Sequence, residues 1–189
     1  MIRRHVQRIV FVVVMLVTVS ASADRRLDDL SAEPAARVNI GPQLHRQVQA
    51  DLGLTVIQLA YEEPIDAHWA LQIEGGIFGT YFLPWFDLGD DVKGIGGGTR
   101  LTWFSRASGL GPYVAPYVRV SRIAGEDAAG VERTGVGLAT GVFAGWAFGL
   151  TERLDLRIGV GAQYIYLHAP PLGASTPFVA LDLVVGYRL

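Results

Sequence analysis

Three groups of residues in this chain could do chemistry: its histidines, two glycine clusters, and charged side chains spaced inside apolar segments. Metal ligation is the first possibility to weigh. Beyond residue 23 the histidines are His45, His68 and His168, and no two are close in sequence, so none forms the short ligand spacing of a zinc site. There is no cysteine, and so no thiolate ligand, nucleophile or disulfide. The clusters Gly94-Ile-Gly-Gly-Gly98 and Gly135-Val-Gly-Leu-Ala-Thr-Gly141 invite comparison with phosphate loops. Neither ends in Lys-Ser/Thr and neither opens a helical pattern, so nucleotide binding is not expected. These residues call for no cofactor and no metal. What is left is charge. Glu74, Arg100, Arg119, Asp155, Arg157, Asp182 and Arg188 fall on the polar parity of otherwise apolar segments. An ionisable group taken from water is costly unless paired, so these seven are expected to form one network in a shared interior. The simplest pairs are Glu74 with Arg100, and Asp155 or Asp182 with Arg157.

The elements that would position such a network have a period of two. In the C-terminal run Phe178-Val-Ala-Leu-Asp-Leu-Val-Val-Gly-Tyr-Arg-Leu189, the odd positions from Val179 to Leu189 are all apolar, while the even set holds Asp182, Gly186 and Arg188. That is a strand with one apolar and one wet face. Similar alternation predicts strands over Arg37–Leu44, Leu52–Glu62, Ala67–Phe82, Lys93–Phe104, Pro112–Ile123, Thr134–Phe148 and Arg153–Leu167, making eight. In Arg153–Leu167, Leu154, Leu156, Ile158, Val160, Tyr164 and Tyr166 face one way and Arg153, Asp155, Arg157 and Gln163 the other. In Thr134–Phe148 the second face is almost all glycine and alanine, which suits the crowded lumen of a narrow barrel.

The connections alternate in length. Those at Glu63–Asp66, Ser105–Gly111 and Gly149–Glu152 are short, while Leu83–Val92, Ala124–Arg133 and His168–Ser175 are longer on average and rich in Asp, Gly and Pro. A first loop is expected around His45–Asp51. Short turns at one end and longer loops at the other are the pattern of bacterial membrane barrels. Trp69, Trp103, Trp146, Phe148 and Tyr187 would then mark one rim and Tyr81, Tyr164 and Tyr166 the other. A soluble β-sandwich alternates as well, but it does not account for the first residues of the chain.

Those residues read as an export signal. Met1–Arg8 is basic, Ile9–Val19 is an apolar core of 11 residues broken only by Thr18, and Ala21-Ser22-Ala23 has the small-x-small pattern of a cleavage site. The apolar core is too short to span a bilayer as a helix. Cleavage after Ala23 would remove Arg3, Arg4 and Arg8 and no acid, leaving 13 basic against 18 acidic residues and a net charge of −5. Nucleic-acid partners, which need basic surfaces, are not expected. The expected organisation is a signal peptide over 1–23, a periplasmic tail over 24–36 and a barrel over 37–189.

On its alternation and its closing strand the chain resembles the small eight-stranded outer-membrane barrels, a broad group that includes the outer-membrane protein A, X and W types. It departs from them at the last residue, Leu189 in place of the usual Phe, with Tyr187 in the aromatic position. The resemblance implies an all-β, antiparallel, up-and-down transmembrane β-barrel in the outer membrane of a Gram-negative cell. The implied partners are outer-membrane lipid, lipopolysaccharide and, through the C-terminal strand, the barrel-assembly machinery, with the protein a monomer. The expected function is non-enzymatic, a structural or surface-interaction role. The alternative is a porin-like narrow channel or a transporter of small hydrophobic solutes. A third reading is a lipid-modifying enzyme, because lipid A palmitoyltransferases and deacylases share this architecture. Their chemistry needs histidine and serine near the outer leaflet, where only His168 and Ser175 are expected and no His-x-Ser pairing exists.

Overall fold

Alternation of this kind buries one face of each strand only if the sheet has an inside, and closure into a ring supplies one. In a computed structural model of the protein, which describes residues 44–79, 92–126, 129–170 and 172–189, eight antiparallel strands close into a barrel in sequence order. They are β1 (Gln47–Leu52), β2 (Val56–Pro64), β3 (Trp69–Gly79), β4 (Lys93–Phe104), β5 (Gly111–Glu126), β6 (Glu132–Gly149), β7 (Leu154–Ala169) and β8 (Leu172–Arg188). β1 closes the ring against β8, with Gln47 opposite Arg188.

The register around the ring fixes how the interior is layered. From Gln47 the paired residues run through Glu62, Gln72, Arg100, Tyr117, Gly141 and Gln163 to Phe178. Phe178 lies ten residues before Arg188, the direct partner of Gln47. This stagger tilts the strands, and with eight of them it leaves a bore that side chains just fill. Between β4 and β5 the pairing stops at Arg100↔Tyr117 and resumes at Trp103↔Val114. The gap falls beside Pro116, which has no N–H to donate.

The outer surface is apolar. Leu59, Ile73, Ile95, Val120, Val136, Ile158, Val160 and Val179 are each about 50–70% exposed, more apolar surface than a water-facing wall is expected to show. Trp69, Trp103, Trp146, Phe148 and Tyr187 ring the lower rim, where the turns at 65–68, 105–110 and 150–153 lie; Tyr164 and Tyr166 face outward at the upper rim.

For β4 to β7 the expected strands and facing agree with the structure to within a few residues. Four differences stand out. The segment expected as a first loop, His45–Asp51, is instead mostly strand β1, with Gln47, Gln49 and Asp51 buried inside and Val48 exposed outside. Its inner face is so polar that it reads as a loop in isolation. β2 accordingly begins at Val56, not Leu52. The expected loop His168–Ser175 is also largely strand, with Tyr166 opposite Ser175 and His168 opposite Gly173, so β7 and β8 meet in a tight turn. Likewise β5 runs up to Glu126 and β6 starts at Glu132, which shortens the loop expected over 124–133. The segments 1–23 and 24–36, the strand expected over Arg37–Leu44 except Leu44, and Tyr81 lie outside the described residues. Leu44 itself is in no strand.

Candidate functional site

The inward residues divide the lumen into an ionic layer below and an apolar layer above. In the lower part Gln47, Gln49 and Asp51 come from β1, Glu62 from β2, Gln72 and Glu74 from β3, and Arg100 and Thr102 from β4, all 5% exposed or less. They project inward because each occupies the parity opposite an apolar outward residue. Above them Val56, Phe78, Val92, Ile123, Ile165, Leu167 and Ala169 form one apolar cluster, with Ala139 and Phe178 packed against it.

All seven charged residues singled out from sequence line this lumen, though not in the simplest pairs. Arg100 is the hub. Its Nη1 donates to Asp182 Oδ1 at 2.9 Å and its Nη2 to Asp51 Oδ2 at 2.5 Å. Glu74, expected on Arg100, lies 3.9 Å from it and is held chiefly by Arg119, whose Nε and Nη2 donate to its two carboxylate oxygens. Arg119 Nη2 also donates to Asp51 Oδ2 at 2.7 Å. Arg157 pairs with neither Asp155 nor Asp182 but donates a two-pronged pair of bonds to Glu62, at 2.6 and 2.7 Å. Asp155 accepts from Arg188 at 2.5 and 2.9 Å and from Gln47 Nε2 at 2.6 Å. Bidentate guanidinium–carboxylate geometry of this kind is the strongest ion-pair form available to side chains.

Aromatic rings complete the layer. Arg100 stacks over Phe143 at 4.9 Å, Arg119 over Tyr117 at 4.5 Å and Arg157 over Phe104 at 4.8 Å. Tyr117 in turn stacks on Phe143 at 4.7 Å. Each guanidinium therefore has carboxylates at its edge and a π-face on its plane, which compensates the cation on both sides. Tyr113 donates to Asp182 Oδ2 at 2.5 Å. It has room to do so because Gly145 and Gly159 carry no side chain: a Cβ on either would lie 2.5–2.6 Å from its hydroxyl.

Sequence reasoning missed Asp51, Glu62, Tyr113 and the glutamines as members of this network. The signal for Asp51 is the run Gln47-x-Gln49-x-Asp51, and for Glu62 the run Gln58-x-Ala60-x-Glu62, both on inward parity. A double-mutant cycle tests the revised pairing. Glu74→Gln with Arg119→Gln should show a coupling energy of about 1–3 kcal/mol, and Glu74→Gln with Arg100→Gln a smaller one. Urea titrations of the folded barrel in vesicles give both values, and equal coupling would refute the assignment.

The residues considered for catalysis do not converge. Tyr164 and Ser175 share a short hydroxyl–hydroxyl hydrogen bond on the outer face, and His168 stacks on Tyr166 with 6.1 Å between ring centres. Among the described residues no hydrogen bond joins His168 to Ser175. His68 Nδ1 lies 2.8 Å from the Phe104 carbonyl oxygen on a lower turn. No cluster of three or more metal-ligating side chains occurs among the described residues.

No family model and no curated protein matches the sequence. Solved structures do resemble the fold. The crystal structure of Neisserial surface protein A superposes with a TM-score of 0.52 at 16% identity, covering 77% of this chain and 95% of that one. The fold is that of a small eight-stranded outer-membrane barrel. The Yersinia pestis outer membrane protein Ail, in a phospholipid bilayer nanodisc, aligns over 77% of this chain and 99% of its own, with 12% identity and a TM-score of 0.45. Among the described residues the lumen is the interior of this fold, so whether the ionic layer conducts separates the structural reading from the channel reading.

Proposed function

We propose that this protein is a non-enzymatic outer-membrane barrel with a structural or surface-interaction role and a lumen closed to solutes. The observation that carries this reading is the ionic layer itself: Arg100 and Arg157 are 1% and 2% exposed, the carboxylates they hold 1% or less, and the pairs reach across the bore from β4 to β8 and from β7 to β2. A solute would have to separate them. The outward apolar band and the aromatic rims support residence in a bilayer, with the lower rim in the periplasm and the upper rim outside. At the upper rim Lys93 and Arg122 project outward and exposed, a placement that suits the phosphates of outer-leaflet lipid and lipopolysaccharide. The amphipathic strand β8 is the segment that the barrel-assembly machinery would engage.

Planar-bilayer recordings of the refolded protein test the closed lumen. No stable current steps are expected at physiological salt, and none should appear on replacing Arg122 or Lys93. One observation favours the narrow channel as a second reading. Among the described residues Gln49 Oε1, Asp51 Oδ1, Gln72 Oε1 and Thr102 Oγ1 have no hydrogen-bond partner, and buried polar atoms of that kind are commonly met by ordered water. Regular unitary currents that rise in Glu74→Gln would establish that reading instead.

Export by an N-terminal signal is the companion proposal. Protein recovered from the outer membrane should begin at Asp24 on N-terminal sequencing; a start at Met1 would overturn cleavage.

A further inference from the structure

The ionic layer does not balance. Among the described residues, Arg157 is matched by Glu62 and Arg188 by Asp155, one guanidinium to one carboxylate. The other two guanidiniums, Arg100 and Arg119, face three carboxylates: Asp51 on β1, Glu74 on β3 and Asp182 on β8. All five side chains are 9% exposed or less. One negative charge is therefore left over in the lumen, and a buried charge without a counter-charge is costly.

The hydrogen bonds locate the surplus. Asp182 has a donor on each oxygen, Arg100 on Oδ1 and the Tyr113 hydroxyl on Oδ2. Glu74 receives Arg119 on both oxygens and Gln72 Nε2 on Oε2. Asp51 draws both guanidiniums to Oδ2, Arg100 at 2.5 Å and Arg119 at 2.7 Å. Its Oδ1 is buried and has no partner among the described residues. Across the β1–β2 ladder Asp51 lies directly opposite Gln58, and both side chains turn inward. Gln58 Oε1 is buried without a partner as well. Directly opposed residues have Cβ atoms about 5 Å apart, so two orphan acceptors share one neighbourhood and lack a donor.

We propose that the ionic layer binds one proton, carried on Asp51 Oδ1 and directed at Gln58 Oε1. A protonated carboxyl gains one O–H donor and keeps acceptor capacity. Asp51 Oδ2 still receives both guanidiniums, Oδ1 becomes the donor that Gln58 lacks, and two carboxylates are left facing two arginines. The charged and titratable groups that face Asp51 are Arg100, Arg119, Glu74, Asp182 and Tyr117. Glu74 and Asp182 are the worse carriers, because each of their oxygens already accepts a hydrogen. A monovalent metal ion would also restore the balance. Asp51, Gln58 and neighbouring Gln49 offer only three unpaired oxygens, however, where oxygen-bound cations take about six or more. The proton site rests on the closed lumen proposed above and deepens it, since the layer that bars solutes becomes neutral as a whole.

Infrared spectra of the refolded barrel in vesicles at neutral pH test this. The carbonyl stretch of a protonated carboxyl is expected, shifting when the aspartates are isotope-labelled and disappearing in Asp51→Asn. Urea titrations give a second readout. Asparagine copies the protonated acid, its oxygen accepting from the arginines and its amide donating to Gln58. Asp51→Asn should therefore leave the midpoint unchanged or raise it, whereas Asp155→Asn, which strips Arg188 of its carboxylate, should lower it. No protonated aspartate, together with a lowered midpoint in Asp51→Asn, would overturn the proton and mean that an ionised Asp51 is held by the Gln58 amide N–H. A midpoint that climbs with sodium at constant ionic strength, without the acid band, would put a metal ion there and overturn it too. Planar-bilayer recordings keep the two readings apart: a missing band with silent membranes leaves the closed lumen standing, and a missing band with unitary currents sinks both.

Discussion

Arg100→Gln is expected to lower the unfolding free energy of the barrel by about 3–5 kcal/mol, the cost typical of removing one partner from a buried ion pair. One guanidinium on β4 holds Asp51 on β1 and Asp182 on β8, so it grips both sides of the seam where the barrel closes. That seam has five residue pairs between strands, against sixteen between β7 and β8, and has the least ladder to fall back on. Arg119 still reaches Asp51 and Tyr113 still reaches Asp182, which keeps the loss from being larger. Hydrogen exchange in the variant should therefore speed up first in β1 and the lower part of β8, with β6 and β7 following later. The comparison variant is Arg46→Gln. Its salt bridge to Glu63 at 2.8 Å joins side chains 64% and 41% exposed, and a solvated pair of this kind contributes about 0–1 kcal/mol. Similar losses for the two variants in urea titrations would mean that the lumen is wet enough to screen Arg100.

Leu181→Arg is expected to cost about 2–4 kcal/mol when the barrel folds into bilayers, because an arginine facing lipid near the midplane has no counter-ion or water within reach. Leu181 points outward opposite Val160, between the rim residues Tyr187 below and Tyr164 above. Leu156→Arg uses the same chemistry at another depth. Leu156 lies opposite Phe148 and next to the lower aromatic rim, where the side chain can reach the interface, and about 0–1 kcal/mol is expected. The depth dependence is the diagnostic. A soluble barrel would tolerate both substitutions, since each places a charge on a surface already facing water.

Period two was legible from β4 to β8 because a pleated strand sends alternate side chains to opposite faces whatever its neighbours are. Arg100, Arg119, Asp155, Arg157 and Asp182 could be placed in the lumen on that ground alone. The same rule applied to Gln47, Gln49 and Asp51, but six residues with three polar side chains carry too little apolar contrast to distinguish a short strand from a loop. Likewise Gly173 and Ser175 read as loop, because Pro177 just beyond them would usually break a ladder. Here its nitrogen faces the side that has no strand among the described residues.

Which acid meets which base was decided by the tertiary structure. Adjacent strands are offset by the stagger of the barrel, so residues on consecutive strands need not lie at the same height. Glu74 and Arg100 share neighbouring strands, yet the register sets Arg100 opposite Gln72 and Glu74 opposite Gly98. Gly98 lies in turn opposite Arg119. A Cβ on Gly98 would come within 2.4 Å of the Val118 carbonyl oxygen and 2.8 Å of Arg119 Cγ, so the bare glycine leaves the passage through which Arg119 reaches Glu74 from two strands away. Alternation sorts side chains into lumen and lipid one strand at a time. Partners in a closed ring depend on the stagger summed over all eight strands, a quantity that no single strand contains.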